Sequence, residues 1–225
     1  MEGAQVPVLD LFLSYFKPQV VEDMFRAVVD TYPQTARQLR LMWSGSEGVD
    51  LRPHVQRANV IQTLRAVGEK HRGSGVIPKD IFNVSRTSRN IMLVGGAGSI
   101  TPHYIPARDS AVRNAAYRRI LCSPNILDLF TLEGVEPDTP LHAYLVHGCD
   151  GLKAYQRVDR EAPDFVYVRF PIVGGGVYAA QSLDLMEMFP HVLDRDRSSA
   201  VDHVIEIEDV ALPKLRPDQQ TGDAG

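Results

Sequence analysis

Ile91-Met92-Leu93-Val94-Gly95-Gly96-Ala97-Gly98-Ser99-Ile100-Thr101-Pro102-His103-Tyr104-Ile105 is the stretch on which the fold reading turns. An apolar run at 91–94 meets a glycine cluster, and a second apolar and β-branched run follows at 100–105. The glycines superficially resemble the phosphate loop of a dinucleotide or methyl-donor site. Such a loop must open directly into a helix, so that the helix N-terminus faces the ligand. Ser99-Ile100-Thr101-Pro102 reads as strand instead, which makes the segment a β-hairpin.

Working outward, hairpin signals outnumber any strand-helix-strand alternation. Residues 141–147 and 152–158 flank Gly148-Cys149-Asp150-Gly151 as a second expected hairpin. In the run 165–172, Val166, Val168, Phe170 and Ile172 share one face, opposite Phe165, Tyr167 and Arg169. Residues 183–189 read as a helix and 203–208 as a last strand.

Upstream the period changes. Val20, Val21, Met24, Phe25, Val28 and Val29 recur at helical spacing after Pro18, a good first-turn residue. Thr31 and Gln34 have capping-box spacing and predict a new helix through Trp43. A third helix is expected from Asp50, burying Val60, Ile61, Leu64 and Val67. Asp109 is expected to cap a helix over 109–121, followed by a short one from Ser123-Pro124 toward Phe130. The class expected is α+β: a helical section over residues 1–75, then a mainly antiparallel sheet with interleaved helices over 76–212. Gly73-Ser74-Gly75 marks the boundary between them, although the two sections are expected to form one compact unit, and residues 213–225 read as a disordered tail.

At 225 residues and 44% hydrophobic content, the chain can bury a proper core. No stretch approaches the ~18 apolar residues of a membrane span. The opening residues lack a signal peptide's basic region. Two cysteines, Cys122 and Cys149, supply no disulfide framework. A cytoplasmic protein without membrane contact is expected.

Charge is sorted along the chain. Residues 70–122 hold nine Lys/Arg against two Asp/Glu, whereas residues 123–225 hold eight against eighteen. In the basic segment, Arg86 and Arg89 lie among serines and threonine, a donor mixture that suits phosphate oxygens. Arg108, Arg113 and Arg119 add guanidinium groups. Tyr117, one helical turn from Arg113, is placed to stack a base. These six residues form the expected phosphate-binding and stacking set. The simpler reading is that the basic segment packs against the acidic last third.

A metal-dependent nuclease needs two acids and a lysine converging on an ion, Mg²⁺ in the usual case. Asp138, Asp150 and Lys153 come nearest to that pattern, although Asp150 and Lys153 are three apart and face opposite sides of a regular strand. His142 and His147 are likewise on opposite faces, so they do not chelate together. Cys149 lies in a glycine-flanked turn where a nucleophile could be exposed, but it reads more simply as a turn cysteine of no consequence. Glu206 and Glu208 read as surface carboxylates.

Three functions follow as expectations. The first is a protein acting on DNA or RNA, a divergent nuclease of defence or restriction type. The second is a non-catalytic assembly protein, a homo-oligomer joined through its helical N-terminus. The third is an enzyme that binds a small phosphorylated ligand through the arginines.

Overall fold

The computed structural model describes residues 7–42, 47–83, 89–113, 116–125, 138–150, 160–172 and 178–194. Arg86, Lys153, the expected strands at 152–158 and 203–208, and the expected tail lie outside them. Residues Met1–Leu193 group as one compact unit, and everything below concerns it.

The fold is α+β. Helices α1 (Val8–Tyr15), α2 (Pro18–Met42) and α3 (Glu47–Lys70) come first. Strands β1 (Val76–Phe82), β2 (Arg89–Gly95) and β3 (Gly98–Tyr104) follow, then α4 (Ala116–Leu121), β4 (Leu141–Gly148), β5 (Phe165–Pro171), β6 (Tyr178–Asp184) and α5 (Leu185–Met188). The six strands lie side by side in chain order, and every neighbouring pair is antiparallel except β3 and β4, which run parallel.

The α2 helix is longer than its sequence signals suggested. Thr31 does not cap a new helix: its hydroxyl donates back to the Val28 carbonyl at 2.6 Å, within the preceding turn. The apolar face therefore runs unbroken from Val20 to Leu39 despite Pro33. Tertiary burial overrides the local stop signal. α3 begins a turn earlier than Asp50, at Glu47.

The two helices pack together through a buried polar seam. Gln56 Nε2 donates to Thr31 Oγ1 at 2.6 Å, and Asn59 Nδ2 donates to Thr35 Oγ1 at 2.9 Å. His71, just past α3, meets Asp23 near the start of α2, so the helices are antiparallel. At Gly73-Ser74-Gly75 the helices give way to the sheet. A short 3-10 turn leads into β1, and Val67 and Val76 belong to the same core.

That core lies between the helices and one sheet face. Met24, Phe25 and Leu64 pack with Ile91, Leu93, Leu145, Val166, Val168 and Phe170. The alternation read in β5 holds, with Phe165 and Tyr167 on the other face. There they meet Ile105, Val112 and Cys122 of the chain that crosses from β3 to β4. The helix expected from Asp109 is confined to Ala116–Leu121. Residues ahead of it are held as a loop: Ser110 N bonds the Ala107 carbonyl, and Arg108 N donates to Asp150 Oδ1 at 2.6 Å.

In the first hairpin Gly95 faces Gly98 across a two-residue turn. Gly96 there takes φ 56°, the left-handed conformation that such a turn needs at its first central residue. The described antiparallel partner of β4 is β5, where sequence had suggested 152–158. β6 then runs into α5, whose first turn is capped by Asp184 through the Met186 N–H at 2.9 Å. That strand over Tyr178–Asp184 was not anticipated.

Gly148 ends β4 against the crossing chain. A Cβ there would lie 2.0 Å from the Ile105 carbonyl oxygen, a backbone atom fixed by the Ile105 N–H bond to the His147 carbonyl at 3.0 Å. Gly148→Ala is expected to destabilise the protein by about 3 kcal/mol, measured by urea unfolding. An unchanged midpoint would contradict this close approach.

Candidate functional site

The candidate site arises where β2 and β3 part. They pair only at Gly95↔Gly98, Val94↔Ser99 and Leu93↔Ile100. Antiparallel ladders alternate hydrogen-bonded and open pairs, and a two-residue turn is flanked by a bonded pair. The next bonded pair would be Ile91 with residue 102, which is proline and has no N–H to give. The ladder stops there. β3 continues alongside β4 through Thr101, Pro102, His103 and Tyr104, while β2 continues alongside β1. The Ile91 N–H, left without its ladder partner, donates to Asn90 Oδ1 at 3.0 Å.

A cavity of about 560 Å³ fills the fork, within the range of small-molecule sites. α3 contributes Arg52, Gln56 and Arg57 to its walls, β2 contributes Asn90, and β3 contributes Pro102, His103 and Tyr104. The crossing chain adds Arg113, Tyr117 and Arg118. Tyr32 from α2 also lines it, with His147 and Cys149 from the end of β4. Four arginines and no carboxylate line it among the described residues.

Several of these guanidiniums are braced by backbone carbonyls. Arg52, only 6% exposed, donates to the Arg160 carbonyl at 2.6 Å and lies 6.0 Å from the Tyr32 ring centre. Arg57 donates to the Arg89 carbonyl, and Arg118 to the Arg113 carbonyl. The Arg118 guanidinium also lies 5.2 Å from the Tyr117 ring centre, a cation–π distance.

Tyr32, His147 and His103 are held in their neutral forms by burial. Tyr32 Oη and His147 Nδ1 are 2.9 Å apart. Burial holds the Tyr32 hydroxyl well above its ordinary range and lowers the His147 imidazole to about 4. His103 is pushed well down by burial, reinforced by the positive charge of Arg118. Cys149 is not presented to solvent as a nucleophile in this turn would be. It is 2% exposed, and its thiol faces the Ala162 carbonyl at 3.8 Å.

Of the residues expected from sequence, the structure brings Arg113 and Tyr117 together in this lining. Arg119, on the same short helix, is exposed and outside it. Arg89 forms a two-pronged pair with Asp80 at 2.9 and 2.7 Å. Arg108 pairs with Asp150 at 3.1 Å and lies over Phe165 and Tyr167. The packing of basic segment against acidic last third is thus seen in Arg108 and Asp150, while Arg89 is answered from within its own segment.

Asp138 and Asp150 do not converge. All eight residues of β4 separate them, roughly 25 Å of extended chain. Asp138 lies near Tyr15, whose hydroxyl it helps to raise after burial. Among the described residues, no group of three His, Cys, Asp or Glu is placed to hold a metal ion, and no helix is long and apolar enough to cross a membrane. The lining residues missed from sequence, Arg52, Arg57 and Tyr32, read there as ordinary helix positions. Pro102 was the available signal, since proline inside a strand marks an edge or an interruption.

Two outcomes follow. Asn90→Ala leaves the Ile91 N–H without an acceptor and is expected to cost about 1–3 kcal/mol, whereas Asn90→Asp retains the acceptor; chemical denaturation compares them. His142 and His147 titrate at about 3 and 4 in the fold, against about 6.5 in an unfolded chain. The unfolded state therefore takes up protons first as pH falls, and stability drops from pH 6.5 toward 4 by up to about 1.4 kcal/mol per pH unit for each ring. Equal urea midpoints at pH 7 and pH 5 would mean that folding does not lower the pKa of either ring. No protein-family model matches the chain, and comparison with curated proteins and with solved structures likewise gives no match.

Proposed function

We propose that the chain binds a small phosphorylated ligand in the β2–β3 fork. The observation that carries this reading is a cavity lined by Arg52, Arg57, Arg113 and Arg118 with no carboxylate among its described walls. Guanidinium groups offer paired N–H donors that match phosphate oxygens, and they stay charged when partly buried. Neutral Tyr32, His103 and His147 line the same space and add hydrogen-bonding capacity without competing charge. Tyr104 and Tyr117 provide ring faces for a planar part of the ligand.

A free polynucleotide strand offers the same phosphate chemistry, and the test separates the two. Pyrophosphate, a nucleoside triphosphate, a sugar phosphate and a single-stranded oligonucleotide are compared by thermal shift. Binding of a small compound at a hundredfold excess over its Kd stabilises by about 2.7 kcal/mol. Arg113→Ala and Tyr117→Ala are each expected to weaken that binding about tenfold, whereas Arg119→Ala, on the same helix and outside the cavity, leaves it unchanged. Equal losses at all three positions, or stabilisation by the oligonucleotide alone, would contradict a site for a small ligand.

A further inference from the structure

The sheet face turned away from α2 and α3 holds a second cluster. Ser99, Thr101 and His103 alternate along β3 and therefore share that face. The parallel register sets His142 of β4 beside Ser99. A continuous line of hydrogen-bonding groups results. Ser99 Oγ is 2.8 Å from His142 Nδ1, His142 Nε2 is 3.3 Å from Thr101 Oγ1, and Thr101 Oγ1 is 2.8 Å from His103 Nε2. Ser99 is half-buried, Thr101 and His142 are buried, and His103 lines the cavity.

We infer that Ser99, His142, Thr101 and His103 form a proton relay joining solvent to the ligand cavity, so that the cavity is a site of proton-transfer chemistry and not of binding alone. The relay rests on the proposed ligand site, since the ligand is its terminal partner.

The donor inventory supports this. A neutral imidazole carries one N–H and one acceptor nitrogen, and a hydroxyl carries one proton and can also accept. Thr101 has a single proton for two imidazole neighbours, so an ordered chain has only two arrangements. In one, Ser99 donates to His142 Nδ1, His142 Nε2–H donates to Thr101, and Thr101 donates to His103 Nε2, leaving the proton of His103 on Nδ1. In the other, every donor is reversed and His103 carries its proton on Nε2. Passing from the first to the second releases the Nδ1 proton of His103 to the ligand. Each group upstream hands its proton one place along, and Ser99 takes one from solvent water, which leaves as hydroxide. One N–H or O–H bond forms for each that breaks.

The surroundings favour transfer over storage. Burial disfavours a charged ring at His142 and His103 alike, and the Arg118 and Arg57 charges add to this at His103. Asn125 fixes the His142 backbone from both sides, accepting from its N–H at 2.9 Å and donating to its carbonyl at 2.6 Å. Tyr144 packs edge-on against both rings, at 4.4 and 5.4 Å between centres. The relay is thus held in register by neighbours outside it.

Histidine tautomers, read by ¹⁵N NMR on the whole chain, test the relay. In the ligand-free protein His103 and His142 are expected in opposite tautomers, one Nδ1–H and the other Nε2–H. Both rings in the same tautomer would overturn the chain whether or not any ligand binds. Pyrophosphate, whose unprotonated oxygens outnumber its P–OH groups and accept, should fix His103 as Nδ1–H and with it His142 as Nε2–H. Thr101→Val, of nearly equal volume, should leave the His103 response intact and remove the linked preference of His142. If pyrophosphate gives a thermal shift but the His142 tautomer is the same in wild type and Thr101→Val, the relay fails and the binding reading stands. If no phosphorylated compound gives a shift, the binding reading fails and the relay loses its terminal partner. Should Thr101→Val not fold, Thr101→Ala supplies the same comparison, since it too removes the hydroxyl that joins the two rings.

Discussion

Proline at position 102 withholds the one N–H that the β2–β3 ladder needs next, and much of the architecture follows from that missing proton. A continuous ladder would place Ile91 directly against β3 and leave no space between them. With the ladder stopped after Leu93↔Ile100, the strands separate and the fork becomes a cavity. The vacated backbone donor of Ile91 is met by the adjacent Asn90 side chain, so the opening does not leave a buried amide unsatisfied. On its other edge β3 runs alongside β4 over its whole length. That pairing sets His142 beside Ser99 and carries His147 and Cys149 to the cavity floor.

Polar groups are unusually prominent inside this small unit. Thr31, Gln56 and Asn59 link α2 to α3, Asn125 ties the crossing chain to β4 and β5, and three histidines are almost fully enclosed. Burying such groups is tolerable only when their hydrogen bonds are made. The imidazoles meet that condition as neutral rings. Arginine is the exception, because its charge persists, and four of them line the fork cavity.

Local pattern in the sequence reached the elements whose signals are themselves local. The 91–105 hairpin, the alternation of β5 and the apolar faces of α2 and α3 could all be read from spacing. The helix break at Thr31 and the helix from Asp109 were misread for a common reason. Each signal was a capping residue, and tertiary contacts outweighed it: burial carried α2 onward, while Asp150 drew Arg108 into a loop. The parallel union of β3 with β4 leaves no local trace, because its partners are some forty residues apart. Arg113 and Tyr117 could be singled out by their spacing, but Arg52 and Arg57 could not, since a charged residue on a helix ordinarily faces water. The relay was hidden for a similar reason. His142 and His103 fail every metal-ligand spacing, and only the sheet register makes them neighbours through Thr101.

The single parallel join has one more consequence. It divides the sheet into two meanders, β1–β2–β3 and β4–β5–β6, each built from contacts between sequence neighbours, with a seam that closes a loop of more than thirty residues. Nearby pairings form with less loss of chain entropy than distant ones, so the meanders are favoured to form before the seam. The cavity draws walls from the first meander and its floor from the second. A molecule seated in it therefore grips both halves and acts as a clasp on the last-formed joint. Its main effect on the lifetime of the fold would be to slow the parting of that seam, lengthening persistence more than hastening formation.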